Sequence, residues 1–567
     1  MSTTMSHKKI IVIGGSAAGP KAASKARRMD EFADITMFQK APELSMASCG
    51  YPYYVGGFFD DRNKLLCTPT GVVRDPKFFW SAKGIVAKVN TEVTRIDRKN
   101  KVVEYTNLKT GEKGSQPYDK LILATGSIPN MPPVPGNDLE GITTLQSMQD
   151  ADFLRKIRDE GKIKKAVVIG GGLIGIETLE ALNLAGIELT LVELLPQLLT
   201  FLDWKMAKLV ENYLKTKANV ITQNGVAEFV GENGKLTAVK LQNGTEIPCQ
   251  LAVVAIGVRP NVKLAKEAGL EIGQLGGITT NEYMQTSDPD IYAAGDCCEV
   301  TNIITGKNVL APFGDLANLQ GRVAGENVIA GNVAKFPGTI QTGICKIFDY
   351  GVGITGLSET KAKEAGFDYE RVLNASPDKP GFMNGKLLIT KLVVDKKSRK
   401  ILGAQCLGPG DVSKQLAIWA TAIKGNLTVD DMVNADLPYA PPFSLAIDHS
   451  IATAHIMENK LKGVFNGISS VELKEKVDRG DDMFILDARG ADEYEQMRLG
   501  IGETLIPIGK LRERLNELPK DKNKEIITFC KISLRGYEAA VLLKHHGYKN
   551  VKILEGGVAA WPFEREK

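Results

Sequence analysis

"KKAVVIGGGLIGIETLEALNLAGIELTLVELLPQ", from Lys164 to Gln197, decides the fold. An apolar run ends in a glycine turn, a helical stretch follows, and a second apolar run ends at an acid. Gly170, Gly172 and Gly175 fill the three places of a G-x-G-x-x-G turn. The first admits the tight turn, the second lets backbone approach a pyrophosphate, and the third lets helix and strand pack closely. Leu173 and Ile174 open the helix, whose free N–H groups and positive dipole end face the phosphates. Glu193 closes the second strand, where a carboxylate accepts from both hydroxyls of an adenosine ribose and repels a 2′-phosphate. No arginine follows it directly, which favours NADH over NADPH.

A plainer copy lies upstream. "KKIIVIGGSAAGPKAASKARR" (Lys8 to Arg28) again reads strand, glycine turn, helix, with Gly14 at the turn and Gly19 at the close packing. Ser16 stands in the middle glycine's place, and the next strand, "DITMFQK", ends in Gln39, whose amide can hydrogen-bond a ribose hydroxyl. Two further segments belong with this copy. "LILATGSIP" (Leu121 to Pro129) is a buried strand ending in small residues, and "TSDPDIYAAGDCCEV" places Asp296 after Gly295.

Together these segments resemble the pyridine nucleotide–disulfide oxidoreductase family over essentially the first 460 residues. The resemblance implies FAD on Gly14, Ser16, Ala17, Ala18, Gly19, Gln39, Lys40, Val93, Ala124, Thr125, Gly126 and Asp296, the last on the ribityl chain. Ala317 and Asn318 of "FGDLANLQGRVAGENV" then approach the flavin. NADH falls on Gly170, Gly172, Leu173, Ile174, Gly175, Glu193 and Gly257. Because FAD segments bracket the NAD unit, the NAD domain is inserted into a discontinuous FAD domain. The expected architecture is α/β. It comprises FAD-binding segments 1–128 and 257–335, an NAD-binding domain 129–256, an α+β dimerisation domain 336–460 and a C-terminal α/β domain 461–567.

Cys49, in "SMASCGYPYYVGG" (Ser45 to Gly57), follows the FAD domain's second strand. In the family a helix starting here sets a redox cysteine against the flavin, and dithiol members carry C-x-x-x-x-C. The fifth position after Cys49 is Tyr54, and Cys67 lies eighteen residues on. A single thiol leaves two chemistries: a sulfenic acid, as in peroxide and oxygen reductases, or a mixed disulfide with a small thiol. The former branch carries a histidine in the first glycine turn, where Ala17 stands here. The segment instead resembles the S-x-x-x-C-G-x-P-Y-Y stretch of coenzyme A-disulfide reductases. That implies Ser45 and Ser48 beside a pantetheine arm, with Arg28, Arg62 and Lys77 as candidates for coenzyme A phosphates. A helix N-terminus is expected to lower the Cys49 pKa.

Composition narrows the class. Apolar content of 43% and charged content of 24% suit a soluble globular protein. Lys+Arg of 71 against Asp+Glu of 67 leaves no signal for nucleic acid. No run reaches the ~20 apolar residues of a membrane span, and "IIVIGG" reads as a buried strand, not a signal peptide. The eight cysteines show neither zinc-ligand spacing nor the density of a secreted disulfide scaffold. A cytoplasmic protein with no metal site is expected.

"GKLLITKLVVDKKSRKILGAQCLG" alternates as a half-buried antiparallel sheet does, and resembles the family's dimerisation domain, implying a homodimer. In "NADLPYAPPFSLAIDHS" the resemblance makes Tyr439 a proton donor across the dimer, in place of a His-Pro pair. A second tyrosine common in the family is Phe382 here. After the linker "KLKGVFNGISS" the pattern restarts, and "EIITFCKISLRGYEAAVLLKHHGYKNVKILEGGVAAWP" resembles a rhodanese domain. Its loop Cys530 to Arg535 points successive N–H groups at a thiolate or persulfide, and Arg535 pairs with Asp487 or Glu493. Glycine is frequent in that family where Ser533 stands.

A rhodanese handles sulfane sulfur, and a coenzyme A-type pocket handles a thiol joined to sulfur. The fusion resembles coenzyme A-disulfide reductase–rhodanese proteins, most closely NADH-dependent persulfide reductases. It implies that NADH electrons pass through FAD to Cys49, which releases hydrosulfide from coenzyme A persulfide or polysulfide, with Cys530 delivering sulfane sulfur. The alternatives are a plain coenzyme A-disulfide reductase, an NADH oxidase or peroxidase using a sulfenic acid, and a flavin-bearing redox sensor.

Overall fold

The structure is a computed structural model that describes residues 7–566. The described residues divide into two compact units, those up to 196 with 218–339 and 197–217 with those from 340 onward.

The first unit holds both nucleotide folds, built alike. Strand Lys9–Ile13 lies between Asp34–Phe38 and Lys120–Leu123, flanked by Ile85–Lys88 and Ile291–Ala293, in a five-stranded parallel sheet. Strand Lys165–Ile169 lies likewise between Glu188–Val192 and Leu251–Val254, flanked by Asn219–Ile221 and Ile142–Thr143. In each copy the glycine turn leaves the C-terminal end of the central strand, where a doubly wound sheet places its ligand. The first and third glycines are forced by contact. A Cβ on Gly19 would lie 1.8 Å from Gly14 O, and one on Gly175 would lie 1.9 Å from Gly170 O. The insertion is therefore as expected, since chain-distant strands Lys120–Leu123 and Ile291–Ala293 complete the first sheet.

Two expectations change in the second unit. Residues 197–217, assigned by chain order to the NAD domain, group with it. Their helix, Trp204–Leu214, is anchored where Asp203 accepts from Gln405 Nε2 at 2.6 Å and pairs with Lys391 Nζ at 2.8 Å. Two inner strands of the antiparallel sheet are buried on both faces: Leu388 to Val394 and Ile401 to Gly408 are all buried. Helices cover both faces. Cys406 packs with Val412 and Leu416 of helix Val412–Lys424, whereas Gln405, alternate along the strand and so on the other face, takes Asp203.

The C-terminal sheet is parallel, with Glu525–Phe529 between Met483–Asp487 and Val551–Leu554. Among the described residues no helix is long and apolar enough to cross a membrane, and no His, Cys, Asp and Glu group could hold a metal.

Candidate functional site

In the first unit, residues far apart in sequence converge. A Cβ placed on Gly295 would lie 3.2 Å from Ala18 Cβ and 3.6 Å from Ala317 Cβ, so glycine turn, acidic turn and helix Gly314–Ala330 meet at one point. That helix packs backbone to backbone on Ala18–Met29, since Cβ atoms on Gly321 and Gly325 would reach Ala18 O at 2.4 Å and Ala22 O at 2.2 Å. The four-residue spacing of these two glycines was the available signal for a pairing the sequence reading missed. Asp296 accepts from Ser127 Oγ at 3.0 Å, and Gly295 N donates to the buried Gln320 Oε1 at 2.7 Å. Burial pushes the Asp296 carboxyl above its ordinary value. Thr125 Oγ1 donates to Asn261 O at 2.7 Å and Asn261 N to Gly126 O at 2.9 Å, fixing the Ala124–Gly126 turn.

Gln39 and Glu193 share a task that sequence did not reveal. Each takes an N–H of its own glycine turn, Gly15 N to Gln39 Oε1 at 2.9 Å and Gly171 N to Glu193 Oε2 at 2.7 Å. The Gln39 amide is also spent on Glu43 O at 3.2 Å, so both its ends brace the loop. Glu193 Oε1 receives Leu195 N at 2.8 Å, and each carboxylate oxygen keeps a second lone pair for a ribose hydroxyl. Lys40 is paired with Glu92 at 2.9 Å on the surface, and Val93 is buried in the strand beside it.

These residues fit FAD and NAD. A partly buried carboxylate stands where a hydroxylated chain needs an acceptor, and Cβ atoms on Gly172 and Gly126 would meet nothing within 4 Å, which leaves the backbone open to a ligand. Gly257, at φ +90°, lies opposite Asn130, whose N donates to Gly257 O at 3.0 Å.

Cys49 is exposed in a 3₁₀ turn, Ser48–Gly50, ahead of the short helix Tyr51–Val55. A Cβ on Gly314 would lie 3.5 Å from Cys49 Sγ, so the sulfur sits against the N-terminus of Gly314–Ala330. The expected depression of its pKa does not hold. Desolvation first, then the carboxylates of Glu177, Asp296 and Asp315, push the thiol above its ordinary value. The following helix is only five residues long, and Asp315 offsets the dipole of the longer one. Tyr54, at the place of a second thiol, is buried with its ring 5.2 Å from the Arg155 guanidinium carbon. All eight cysteines are free, including Cys67. Tyr53 Oη donates to Glu177 Oε1 at 3.3 Å, and burial pushes that carboxyl up to about 7.

Of the proposed coenzyme A contacts, Ser45 N donates to Gly15 O at 2.7 Å, placing it beside the glycine turn, and Ser48 is exposed next to Cys49. Arg62 is committed elsewhere, to Glu43 and Asp152 at 2.9 Å each, which argues against a phosphate role. Arg28 and Lys77 are exposed. Desolvation first, then the charges of Arg28 and Lys21, push the Lys83 ammonium below its ordinary value. Lys21 and Lys83 lie sixty-two residues apart, beyond the reach of any local pattern.

In the second unit Tyr439 and Phe382 are exposed. Cys530 directly follows strand Glu525–Phe529, fully buried, and Arg535 falls in the first turn of helix Leu534–His545. Arg535 forks onto Glu493 at 2.6 and 2.8 Å, while Asp487, the other expected partner, is taken by Arg489 at 2.7 Å. The guanidinium holds the Glu493 carboxyl down at about 2. Such a depressed carboxyl contributes stability above its unfolded value of about 4.3, and loses it as pH falls toward 2. Acid unfolding of the C-terminal domain should therefore lose part of its pH dependence in Glu493→Gln, read by fluorescence between pH 5 and 2.

Ser533 has φ +84°, the backbone that favours glycine, and its Oγ donates to Leu554 O at 2.9 Å. Serine thus replaces glycine by trading strain for a buried hydrogen bond. Ser533→Ala keeps the strain and loses the bond, so urea unfolding should show a loss of about 1–3 kcal/mol, with Ser533→Gly costing less.

Comparison with known proteins agrees with this geometry. The pyridine nucleotide-disulphide oxidoreductase family matches residues 8–312, its dimerisation domain residues 342–451, and a rhodanese-like domain residues 469–563. An NAD-dependent persulfide reductase structure from A. fulgidus is 43% identical, with a TM-score of 0.92 over 98% of this chain and 100% of that one. The reduced CoADR-RHD of Bacillus anthracis is 36% identical, with a TM-score of 0.91 over 98% of each. The NAD(P)H coenzyme A polysulfide/persulfide reductase of Pyrococcus horikoshii is 34% identical over 80% of this chain and 98% of its own length. The chain belongs to the pyridine nucleotide-disulphide oxidoreductases, extended by a rhodanese-like domain.

Proposed function

We propose that this chain is an NADH-driven flavoprotein reductase that releases hydrosulfide from coenzyme A persulfide and polysulfide, working as a homodimer in a reducing, cytoplasmic setting. The observation that carries the reading is one exposed thiol, Cys49, with a buried tyrosine where a partner thiol would stand. FAD, when bound, relays electron pairs from the nicotinamide.

The chain's own residues do the rest. The Cys49 thiolate attacks the carbon-bearing sulfur of R–S–S⁻, forms Cys49–S–S–R and expels hydrosulfide, which takes up a proton. Two electrons then cleave that disulfide, giving R–S⁻ and the thiolate again. The raised Cys49 pKa means the resting sulfur keeps its proton until a base takes it, and Glu177, pushed up to about 7 by burial and bonded by Tyr53, is the carboxylate that acts most strongly on it. Tyr439 of the partner subunit protonates the departing group. Exposed Phe382, Tyr439, Phe443 and Ile447 supply apolar surface for that dimer. Cys530 carries sulfane sulfur from a donor.

A coenzyme A disulfide would meet the same thiol, and exposed Arg28 would serve any coenzyme A compound. Sulfenic acid chemistry is disfavoured, because the charges acting most on Cys49 are carboxylates and Ala17 offers no imidazole. The test is anaerobic NADH oxidation with coenzyme A persulfide, polysulfide, coenzyme A disulfide or peroxide, with sulfide measured. Coenzyme A persulfide should be the fastest acceptor; faster turnover with the symmetric disulfide or with peroxide would overturn the reading. Arg28→Ala should raise KM for the coenzyme A persulfide by about tenfold, the worth of a phosphate contact, and leave that for inorganic polysulfide unchanged.

A further inference from the structure

The active loop of the rhodanese-like domain is held from behind by one short segment. Leu554 O accepts the Ser533 hydroxyl at 2.9 Å, Val558 N donates to Cys530 O at 3.0 Å, and Ala559 N donates to Lys531 O at 2.9 Å. Between these anchors the chain reverses at Gly556 and Gly557, with φ of +77° and +55°. A Cβ on Gly557 would lie 2.2 Å from Cys530 O, so the segment and the loop touch backbone to backbone.

The segment carries one charge, Glu555, and its side chain is 1% exposed. The two cations that bond it come from outside the rhodanese-like domain. Arg371 Nη1, on strand Tyr369–Pro377 of the dimerisation domain, reaches it at 3.0 Å, and Lys460 Nζ, at the end of helix His449–Leu461, at 2.7 Å. Leu373, on the same face of that strand as Arg371, fills the space a Cβ on Gly556 would need, 2.2 Å away. A buried carboxylate is held only by its cations, and here those cations belong to the neighbouring domain.

We propose that Glu555 is a positioning residue for sulfur transfer at Cys530, through which the dimerisation domain sets the geometry of the active loop. The inference rests on the reading of Cys530 as the sulfur carrier. Small displacements of a reacting group cost rate steeply, so loosening Glu555 from its cations should slow transfer without weakening capture of the donor.

The test is made in the full-length holoenzyme, on Arg371→Gln and Arg371→Lys, both outside the rhodanese-like domain. Transfer of sulfur from thiosulfate to cyanide is measured, with the rate of Cys530 alkylation by iodoacetamide read from its peptide by mass spectrometry. Arg371→Gln should lower kcat at least about tenfold, leave KM for thiosulfate within about twofold and change the alkylation rate at least about threefold. Arg371→Lys, which restores the cation, should recover more than half of kcat. A glutamine variant with parental kcat, or a lysine variant no better than the glutamine one, overturns the proposal. Should Arg371→Gln fail to fold, Leu373→Val is the test, with a smaller fall in kcat expected and parental kcat contradicting it. Parent protein that transfers sulfur no faster than Cys530→Ser refutes the sulfur-carrier reading itself.

Discussion

Cys49→Ser should lower NADH-driven sulfide release by at least on the order of 10³-fold, the scale on which a covalent nucleophile is missed, while NADH still reduces ferricyanide through the bound flavin. The split follows from the architecture. Residues that fit FAD and NAD converge without any side-chain contribution from Cys49, whose sulfur meets that site at the N-terminus of Gly314–Ala330. Serine is nearly isosteric, so neither glycine turn should feel the change. Loss of both activities together would mean that residue 49 holds the cofactor and is not the outlet for its electrons. Retention of sulfide release would pass the chemistry to another sulfur. Cys297 and Cys298 are buried beside Asp296 with their sulfurs 3.7 Å apart.

The second large effect is expected at the other end of the chain. Cys530→Ser should abolish sulfur transfer from thiosulfate to cyanide, again by at least on the order of 10³-fold. It should also slow NADH-driven sulfide release from donors that need a carrier, while coenzyme A persulfide, which meets Cys49 directly, is reduced at a rate within about twofold of the parent. Arg535 and Glu493 would still be paired at 2.6 Å, so the loop should survive. Unchanged turnover with every donor would leave the rhodanese-like domain without a part in the reaction.

The sequence was most legible where a single backbone geometry demands a single residue type. Gly14, Gly19, Gly170 and Gly175 could be placed in advance because any Cβ there collides with a carbonyl oxygen, and the order of the motifs then gave the inserted domain. Legibility fell wherever a side chain chooses its partner across the fold. Arg62 looked like a free cation but is balanced by Glu43 and Asp152. Lys21 and Lys83 looked unrelated, yet the charge of one acts on the other. Residues 197–217 read as part of a nucleotide fold, yet Asp203 and Lys391, both nearly buried, tie them to the antiparallel sheet. That same attachment explains why the sheet's alternation understated its burial, since polar Gln405 and Thr390 face protein partners and not water. Cys49 shows the limit for chemistry. Its position in the chain showed that it is solitary, but the sign of its pKa shift depends on Glu177, Asp296 and Asp315, which local sequence does not bring near.

The most direct measurement is mass analysis of the Cys49 peptide after the anaerobic, NADH-free protein meets coenzyme A persulfide and is quenched with an alkylating agent. A mixed disulfide with coenzyme A on that peptide, together with one equivalent of hydrosulfide and a Cys67 that carries only the alkylating group, is the predicted result. A peptide joined from Cys49 to Cys67, or a Cys49 that carries only the alkylating group while sulfide is still released, would contradict it.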